Sequence, residues 1–132
     1  MAKHFTLGKQ ERLKSRKAIE QLFQSGKRFS VGSLRVFYRV QLIPGLIAGV
    51  GVSSKNFKKA TDRNRVKRLT REVYRLQKLH LQEKLAAAGK GMHIFFIYTS
   101  KDLPLFTDLY ETMTVMLNRL VKYSDENTAA NT

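Results

Sequence analysis

The stretch Ala60–Arg75, ATDRNRVKRLTREVYR, decides the fold, and its pattern predicts one α-helix. At about 100° per residue, its apolar side chains and those just beyond it share one narrow arc: Val66, Leu69, Val73, Leu76 and His80. The opposite side carries polar and cationic side chains: Arg63, Asn64, Lys67, Arg68, Arg71, Arg75 and Lys78. The pattern therefore predicts a stripe that packs on a core and a broad cationic face.

The cationic face predicts a polyanionic partner. Like charges four residues apart, such as Lys67 and Arg71, repel by about 0.2–0.5 kcal/mol per pair, and Glu72 is the only acid that offers local relief. A phosphate backbone would remove this cost, because the planar guanidinium of arginine can bind phosphate through two hydrogen bonds. We therefore expect nucleic acid at this face rather than solvent alone.

The composition agrees with this expectation. The 132 residues carry a net charge of +15, and the segment 55–84 holds eleven Lys and Arg against three Asp and Glu. A hydrophobic content of 42% is enough for a core, so the chain is not a disordered basic tail. The length fits a single RNA-binding domain over residues 1–132.

Several classes of protein are disfavoured by the same composition. The chain has no cysteine, which excludes disulfides and thiolate metal sites. Its basic start lacks the apolar core of a signal peptide, and its longest apolar stretch is too short and too broken to cross a bilayer. We therefore expect a cytoplasmic protein without a membrane partner.

Periodicity along the chain predicts an α+β fold. The predicted elements are a helix over Ser15–Ser25, strands over Arg28–Val31, Leu34–Leu42 and Ile47–Ser53, the central helix from a cap at Thr61 or Asp62 to about Ala88, a strand over Met92–Tyr98 and a last helix after Pro104. The order αβββαβα predicts a two-layer α/β sandwich with a mixed four-stranded sheet. Residues 1–14 form a basic N-terminal segment, and residues 124–132 are expected to be a disordered tail.

Two predicted strands carry features that suit a binding surface. Alternation in the second strand places Phe37 on its polar side, between arginines, where a ring could contact single-stranded bases. In the third strand, Gly49 and Gly51 share one face and leave it bare, which allows close approach of another backbone or a ligand.

A strand end with a lysine, a basic loop and an Arg-Asn-Arg helix follow one another in this chain. The residues are Gly49-Val-Gly-Val-Ser-Ser-Lys55, Ala60, the run Arg63-Asn64-Arg65-Val66-Lys67-Arg68, and Arg71-Glu72. This arrangement resembles the bacterial ribonuclease P protein subunit. The resemblance implies that the basic helix makes a left-handed crossover between parallel strands, although the default crossover is right-handed.

The resemblance also implies a division of labour. The RNA subunit, with Mg²⁺ held by RNA and substrate rather than by a protein site, removes the 5′ leader of precursor tRNA, and the protein is an accessory subunit. The implied RNA-docking residues are Arg63, Asn64, Arg65, Lys67, Arg68 and Arg71. A cleft between this helix and the sheet is implied to hold the leader, with Phe23 and Lys55 in it, and strand alternation adds Phe37. The expected partners are ribonuclease P RNA and precursor tRNA, with no DNA and no obligate protein partner.

Some interpretations stay open at this stage. Ile47 and Ser54 stand where the family often has basic residues, so the leader contacts are not settled. Phe23 suits core packing as well as a leader contact, and Phe37 suits contact with a neighbouring loop as well as contact with RNA. His80 is expected to pack at the core edge.

The competing classes are a ribosomal-type structural RNA-binding protein, a DNA-binding regulator and a free-standing nuclease. The first would lack this order of motifs, and the second would show a helix-turn-helix and a dimer face. The third needs a carboxylate cluster or a catalytic histidine pair, which the sequence does not display.

Overall fold

Four strands and four helices make up the fold in the computed structural model, which describes residues 11–125. In chain order they are α1 (Arg16–Ser25), β1 (Lys27–Val31), β2 (Leu34–Gln41), β3 (Gly45–Val52), α2 (Ala60–Gln77), α3 (Leu79–Ala87), β4 (Gly91–Tyr98) and α4 (Phe106–Tyr123). Most of the predicted basic N-terminal segment and of the predicted tail lies outside the described residues.

The strands form one mixed four-stranded sheet, as predicted, and their order across the sheet is β1-β2-β4-β3. β2 pairs antiparallel with β1 and with β4, whereas β3 pairs parallel with β4. The chain reaches β4 from its parallel neighbour β3 through α2 and α3. This connection is the crossover for which the family resemblance implies a left-handed path.

One face of the sheet is closed by α2, α3 and α4. Leu34, Val36 and Tyr38 of β2 point to it, alternating with the side chains that point away, and they join a core with α2 and α4. Tyr74 of α2 lies with its ring 5.4 Å from that of Phe96 in β4. Burial raises the pKa of the Tyr74 hydroxyl, and Glu11 adds to this effect, so the phenol stays neutral.

The central helix differs from its prediction at both ends. Its N-cap is Lys59 without a side-chain cap, so the predicted cap at Thr61 or Asp62 is wrong. Arg63 stabilises the preceding loop instead, because its guanidinium donates to the carbonyls of Phe57 (2.8 Å) and Lys58 (2.9 Å). The predicted single helix to Ala88 is two helices, interrupted at Lys78.

The buried stripe of α2 is also rotated from its predicted position. The buried residues are Val66, Thr70, Val73 and Tyr74, whereas Leu76 and His80 are exposed. Thr70 can be buried because its hydroxyl donates to the Val66 carbonyl at 2.8 Å. The predicted place of His80 at the core edge is therefore wrong.

The opposite face of the sheet is covered only in part, by α1. Ser15 caps this helix as predicted, accepting from the Ala18 N–H at 3.3 Å. Leu22 of α1, Phe37 of β2 and Leu13 form a second, smaller cluster there. The sheet thus has one closed face and one face that stays open beyond α1.

The free edge of β3 is occupied by the residues just before α1. Arg12 forms a parallel bridge with Ala48, and the Leu13 N–H donates to the Ala48 carbonyl at 2.8 Å. Glu11 forms an ion pair with Lys78, with Oε1 and Nζ 2.5 Å apart. Lys78 is only 1% exposed, so its predicted place on the cationic face is wrong.

Candidate nucleic-acid interface

The outer side of α2 presents the cations that the sequence predicted for docking RNA. Asn64, Arg65, Arg68 and Arg71 are exposed and Lys67 is half-buried. Arg63, by contrast, is held against the loop before α2 by its two bonds to carbonyl groups. Four of the six predicted docking residues are therefore exposed and Lys67 is partly so, whereas Arg63 shapes the loop that precedes them.

An open pocket forms where α2 meets the N-terminal segment. We call it the arginine pocket, and its lining residues are Arg12, Arg68, Arg71, Glu72 and Arg75. Glu72 accepts hydrogen bonds from Nε (2.8 Å) and Nη2 of Arg75, so the acid is already engaged. Partial burial, together with the charge of Arg12, lowers the pKa of Arg71.

The open face of the sheet carries a second candidate surface, beside α1. Phe23 of α1 is 40% exposed, and its ring centroid lies 5.4 Å from that of Phe95 in β4. Phe95 and Ile97 alternate with the buried residues of β4 and are only partly covered. We call the surface formed by Phe23, Phe95 and Ile97 the phenylalanine ledge.

Phe37 lies on the predicted face of β2 but not in the predicted environment. Its ring is 7% exposed and its centroid is 4.7 Å from that of Phe23. Because α1 packs over the Phe37 ring, the ring is not accessible for the predicted contact with single-stranded bases. In the described structure Phe37 supports Phe23 from below, and Phe23 offers the accessible ring.

Sequence reasoning missed Phe95. The continuous apolar run Met92–Tyr98 predicted a central, well-buried strand, but only one side of β4 is fully buried. A Cβ atom at Gly49 would lie 2.8 Å from Phe95 Cδ1, and one at Gly51 would lie 2.9 Å from Phe95 Cε2. The bare glycine face therefore makes room for the Phe95 ring. Gly49 and Gly51 were the sequence feature that could have indicated a large side chain on this face.

Cations border the phenylalanine ledge at one end. Arg35 is exposed and pairs in register with Ile97, on the face shared with Phe37. Lys55 is exposed in the turn after β3, where the Asn56 side chain donates to the Thr99 carbonyl at 3.2 Å. This bond holds the turn beside the chain that leaves β4, at the same end of the sheet as Arg35.

The two candidate surfaces lie on different faces of the sheet. The apolar side of α2 packs directly on the closed face, so the implied leader cleft between α2 and the sheet is not there. Phe23 and Phe37 belong to the other cluster, on the open face. Ile47 packs against that cluster too, whereas Ser54 is exposed.

A small polar pocket lies beside α1 on the open face, between Gln21, Arg39, Gln41 and His93. Arg39 donates to the Ser25 hydroxyl at 3.1 Å. Burial lowers the pKa of His93, and the neighbouring charge of Arg39 lowers it further.

Within residues 11–125, no group of three or more His, Asp or Glu residues is arranged to hold a metal ion. In the same part of the chain, no helix is long and apolar enough to cross a membrane.

The fold and its surfaces define a small α+β protein with one strongly cationic helix and one half-open sheet face. Comparison with known proteins identifies the family of this chain. Residues 7–121 match the sequence model of the family described as Ribonuclease P. The chain belongs to this family, whose members include the ribonuclease P protein components.

Relatives and solved structures agree with this assignment. The chain is 40% identical over 119 residues to the ribonuclease P protein component of Porphyromonas gingivalis, covering 88% of this chain and 87% of the relative. The ribonuclease P protein of Thermotoga maritima is similar in structure, with a TM-score of 0.67 and 28% identity over 83% of this chain and 96% of that one. The Staphylococcus aureus protein shares the fold, with a TM-score of 0.68, 20% identity and coverage of 83% and 94%.

Proposed function

We propose that this chain, as the protein subunit of ribonuclease P, docks on the RNA subunit through α2 and holds the 5′ leader of precursor tRNA on the phenylalanine ledge. The phosphodiester cleavage belongs to the RNA subunit. The protein acts by neutralising phosphates and positioning the leader. We expect this to take place in the cytoplasm, where precursor tRNA and the RNA subunit would meet the protein.

The observation that carries the docking proposal is the uncompensated charge of α2. Within the described part of the chain, no carboxylate pairs with Arg65, Arg68 or Arg71, and Glu72 is taken by Arg75. Like charges three or four residues apart on a helix repel one another, as Arg65, Arg68 and Arg71 are spaced. An RNA backbone relieves this repulsion and releases counterions when it binds.

The phenylalanine ledge suits a single strand better than a duplex. An exposed ring with cations at its border can stack a base and attract the adjoining phosphates, without needing a particular sequence. Phe23 supplies such a ring, and Arg35 and Lys55 supply the cations. Because the ledge and α2 lie on different faces of the sheet, one protein can contact the RNA subunit and the leader at the same time.

In this proposal Mg²⁺ binds to RNA and not to the protein. The docking surface is cationic and would repel a divalent ion, so we assign the Mg²⁺ sites to the RNA subunit and the substrate. The protein then contributes most at low Mg²⁺, when few other cations screen the RNA phosphates.

Reconstitution tests this function. The purified chain, ribonuclease P RNA and labelled precursor tRNA are combined at low Mg²⁺, with each component omitted in turn. Cleavage at the mature 5′ end that needs both RNA and protein supports the proposal. Cleavage by the protein alone would overturn the division of labour. Tight binding to unrelated RNAs without stimulation would indicate a structural RNA-binding protein.

A further inference from the structure

The arginine pocket contains a residue that the docking helix does not supply. Arg12 comes from the segment on the edge of β3, and it faces Arg68 and Arg71 of α2 across the pocket. Four arginines line the pocket against one glutamate. Such a concentration of like charge is unfavourable in the free protein unless an anion occupies the space between the guanidinium groups.

The position of Arg12 is set by its neighbours on both sides. Glu11 pairs with the buried Lys78, and Leu13 is buried in the second cluster while its N–H donates to Ala48. The backbone at Arg12 is thus held at three points before any ligand binds. Little backbone entropy is then lost when the Arg12 side chain takes part in binding, which favours the site.

The acid in the pocket does not neutralise Arg12 or Arg71. Glu72 accepts its hydrogen bonds from Nε and Nη2 of Arg75 on the same helix. Partial burial lowers the Arg71 pKa, and the like charge of Arg12 lowers it further. Two guanidinium groups held close together without a shared carboxylate match a ligand with one negative charge and two free oxygens, which is a phosphodiester.

We propose that the arginine pocket is a phosphate clamp in which Arg12 and Arg71 bind the same backbone phosphate of the docked RNA subunit. This inference rests on the proposed function and deepens it. It assigns an RNA contact to the N-terminal segment, outside the Arg-Asn-Arg helix. It also couples RNA binding to the β3 edge, because the clamp ties that segment to α2.

The first test is the salt dependence of RNA binding. Arg12→Ala should weaken the Kd about tenfold and lower the slope of log Kd against log salt by about 1. Lys14→Ala is the matched control, since Lys14 has the same charge and lies two residues away, outside the pocket. Arg12→Lys keeps the charge without the planar fork and should fall between Arg12→Ala and the parent.

A double-mutant cycle tests whether one phosphate is shared. Arg12→Ala and Arg71→Ala should be less than additive, because either change opens the same clamp. Arg12→Ala and Lys67→Ala should be additive, because Lys67 does not line the pocket. Additivity in both cycles would overturn the inference that Arg12 and Arg71 bind the same phosphate.

Hydrogen exchange separates the clamp from a general loss of charge. In the complex with RNA, the Leu13 amide should exchange several-fold more slowly than in the free protein. With Arg12→Ala at saturating RNA, this extra protection should disappear at Leu13 and persist in α2. If the Leu13 amide is protected equally in the RNA complexes of the parent and of Arg12→Ala, RNA binding is not coupled to the β3 edge through Arg12.

Competition between inorganic phosphate and RNA is the last test of the clamp. Inorganic phosphate, compared with chloride at equal ionic strength, should compete with RNA for the parent but not for Arg12→Ala. If inorganic phosphate binds at the pocket while Arg12→Ala leaves RNA binding unchanged, the pocket is a site for free anions and the inference fails. If Arg68→Ala with Arg71→Ala still weakens RNA binding in that case, the proposed docking through α2 holds although the proposed clamp does not.

Discussion

Phe95 and Phe96 are neighbours on β4, but they have opposite environments. Phe96 is fully buried in the main core against Tyr74, whereas Phe95 lies on the open face beside Phe23. The alternation of a strand sends successive side chains to opposite faces, so a single step along the chain moves from core to surface. The difference teaches that the two faces of this sheet have separate environments: one is closed and holds the fold together, and the other leaves aromatic side chains partly exposed.

Removing the buried ring should have the largest effect on the protein itself. Phe96→Ala should lower the free energy of unfolding by about 3–5 kcal/mol, because it leaves a cavity between β4 and α2. Phe95→Ala should cost only about 1–2 kcal/mol, because its ring is already partly in water. Urea unfolding followed by circular dichroism measures both, and equal costs would contradict the separation of the two faces.

The next largest effect is expected on the cationic side of α2. Arg68→Ala with Arg71→Ala should weaken binding to the RNA subunit about a hundredfold and reduce the salt slope by about 2. The control is Lys90→Ala with Lys122→Ala, which removes the same charge away from α2. A salt slope that stays at the parent value would exclude this side of α2 as the docking surface.

The phenylalanine ledge should affect substrate choice rather than docking. Phe23→Ala should reduce the preference for leader-bearing over mature tRNA about tenfold, because a stacked base contributes about 1–3 kcal/mol. Phe106→Ala is a matched control, since Phe106 on α4 is 41% exposed against 40% for Phe23. If Phe23→Ala keeps its fold and keeps the parent preference, the leader does not use this ring.

The smallest expected effect concerns His93 on the open face. Its pKa in the folded protein is lowered by burial and then by Arg39, so the unfolded chain binds the proton more readily. The stabilising contribution of neutral His93 is therefore complete above the unfolded pKa of about 6.5 and is lost as the pH falls from there through the lower pKa of the folded protein. Unfolding by urea should show a weaker loss of stability between pH 7.5 and pH 5 in His93→Gln than in the parent. His80→Gln, at an exposed histidine, should behave like the parent.

The elements that sequence reasoning predicted well are those dominated by local pattern. The helix with its Ser15 cap, the alternation of β2 and the mixed sheet were all predicted, because capping, periodicity and element order are encoded in short stretches. The cationic residues of α2 were predicted for the same reason. Their number and spacing can be counted along one helix.

The predictions that failed depend on what packs from elsewhere in the chain. Thr70 was not among the residues predicted for the buried stripe, but its hydroxyl is satisfied within the helix and it enters the core. Lys78 was expected in solvent, but Glu11 pairs with it. The Phe37 ring was expected in the open, but α1 covers it.

The sequence by itself determined the family, the element order and the concentration of charge on α2, because each of these is a property of residues close together in the chain. Only the tertiary structure decided that Phe23 and Phe95 form one ledge, that this ledge lies on the face opposite α2, and that Arg12 meets Arg71. These juxtapositions join residues far apart in sequence. They follow from sheet register and from which helix covers which face, and the periodicity of a single element cannot specify either.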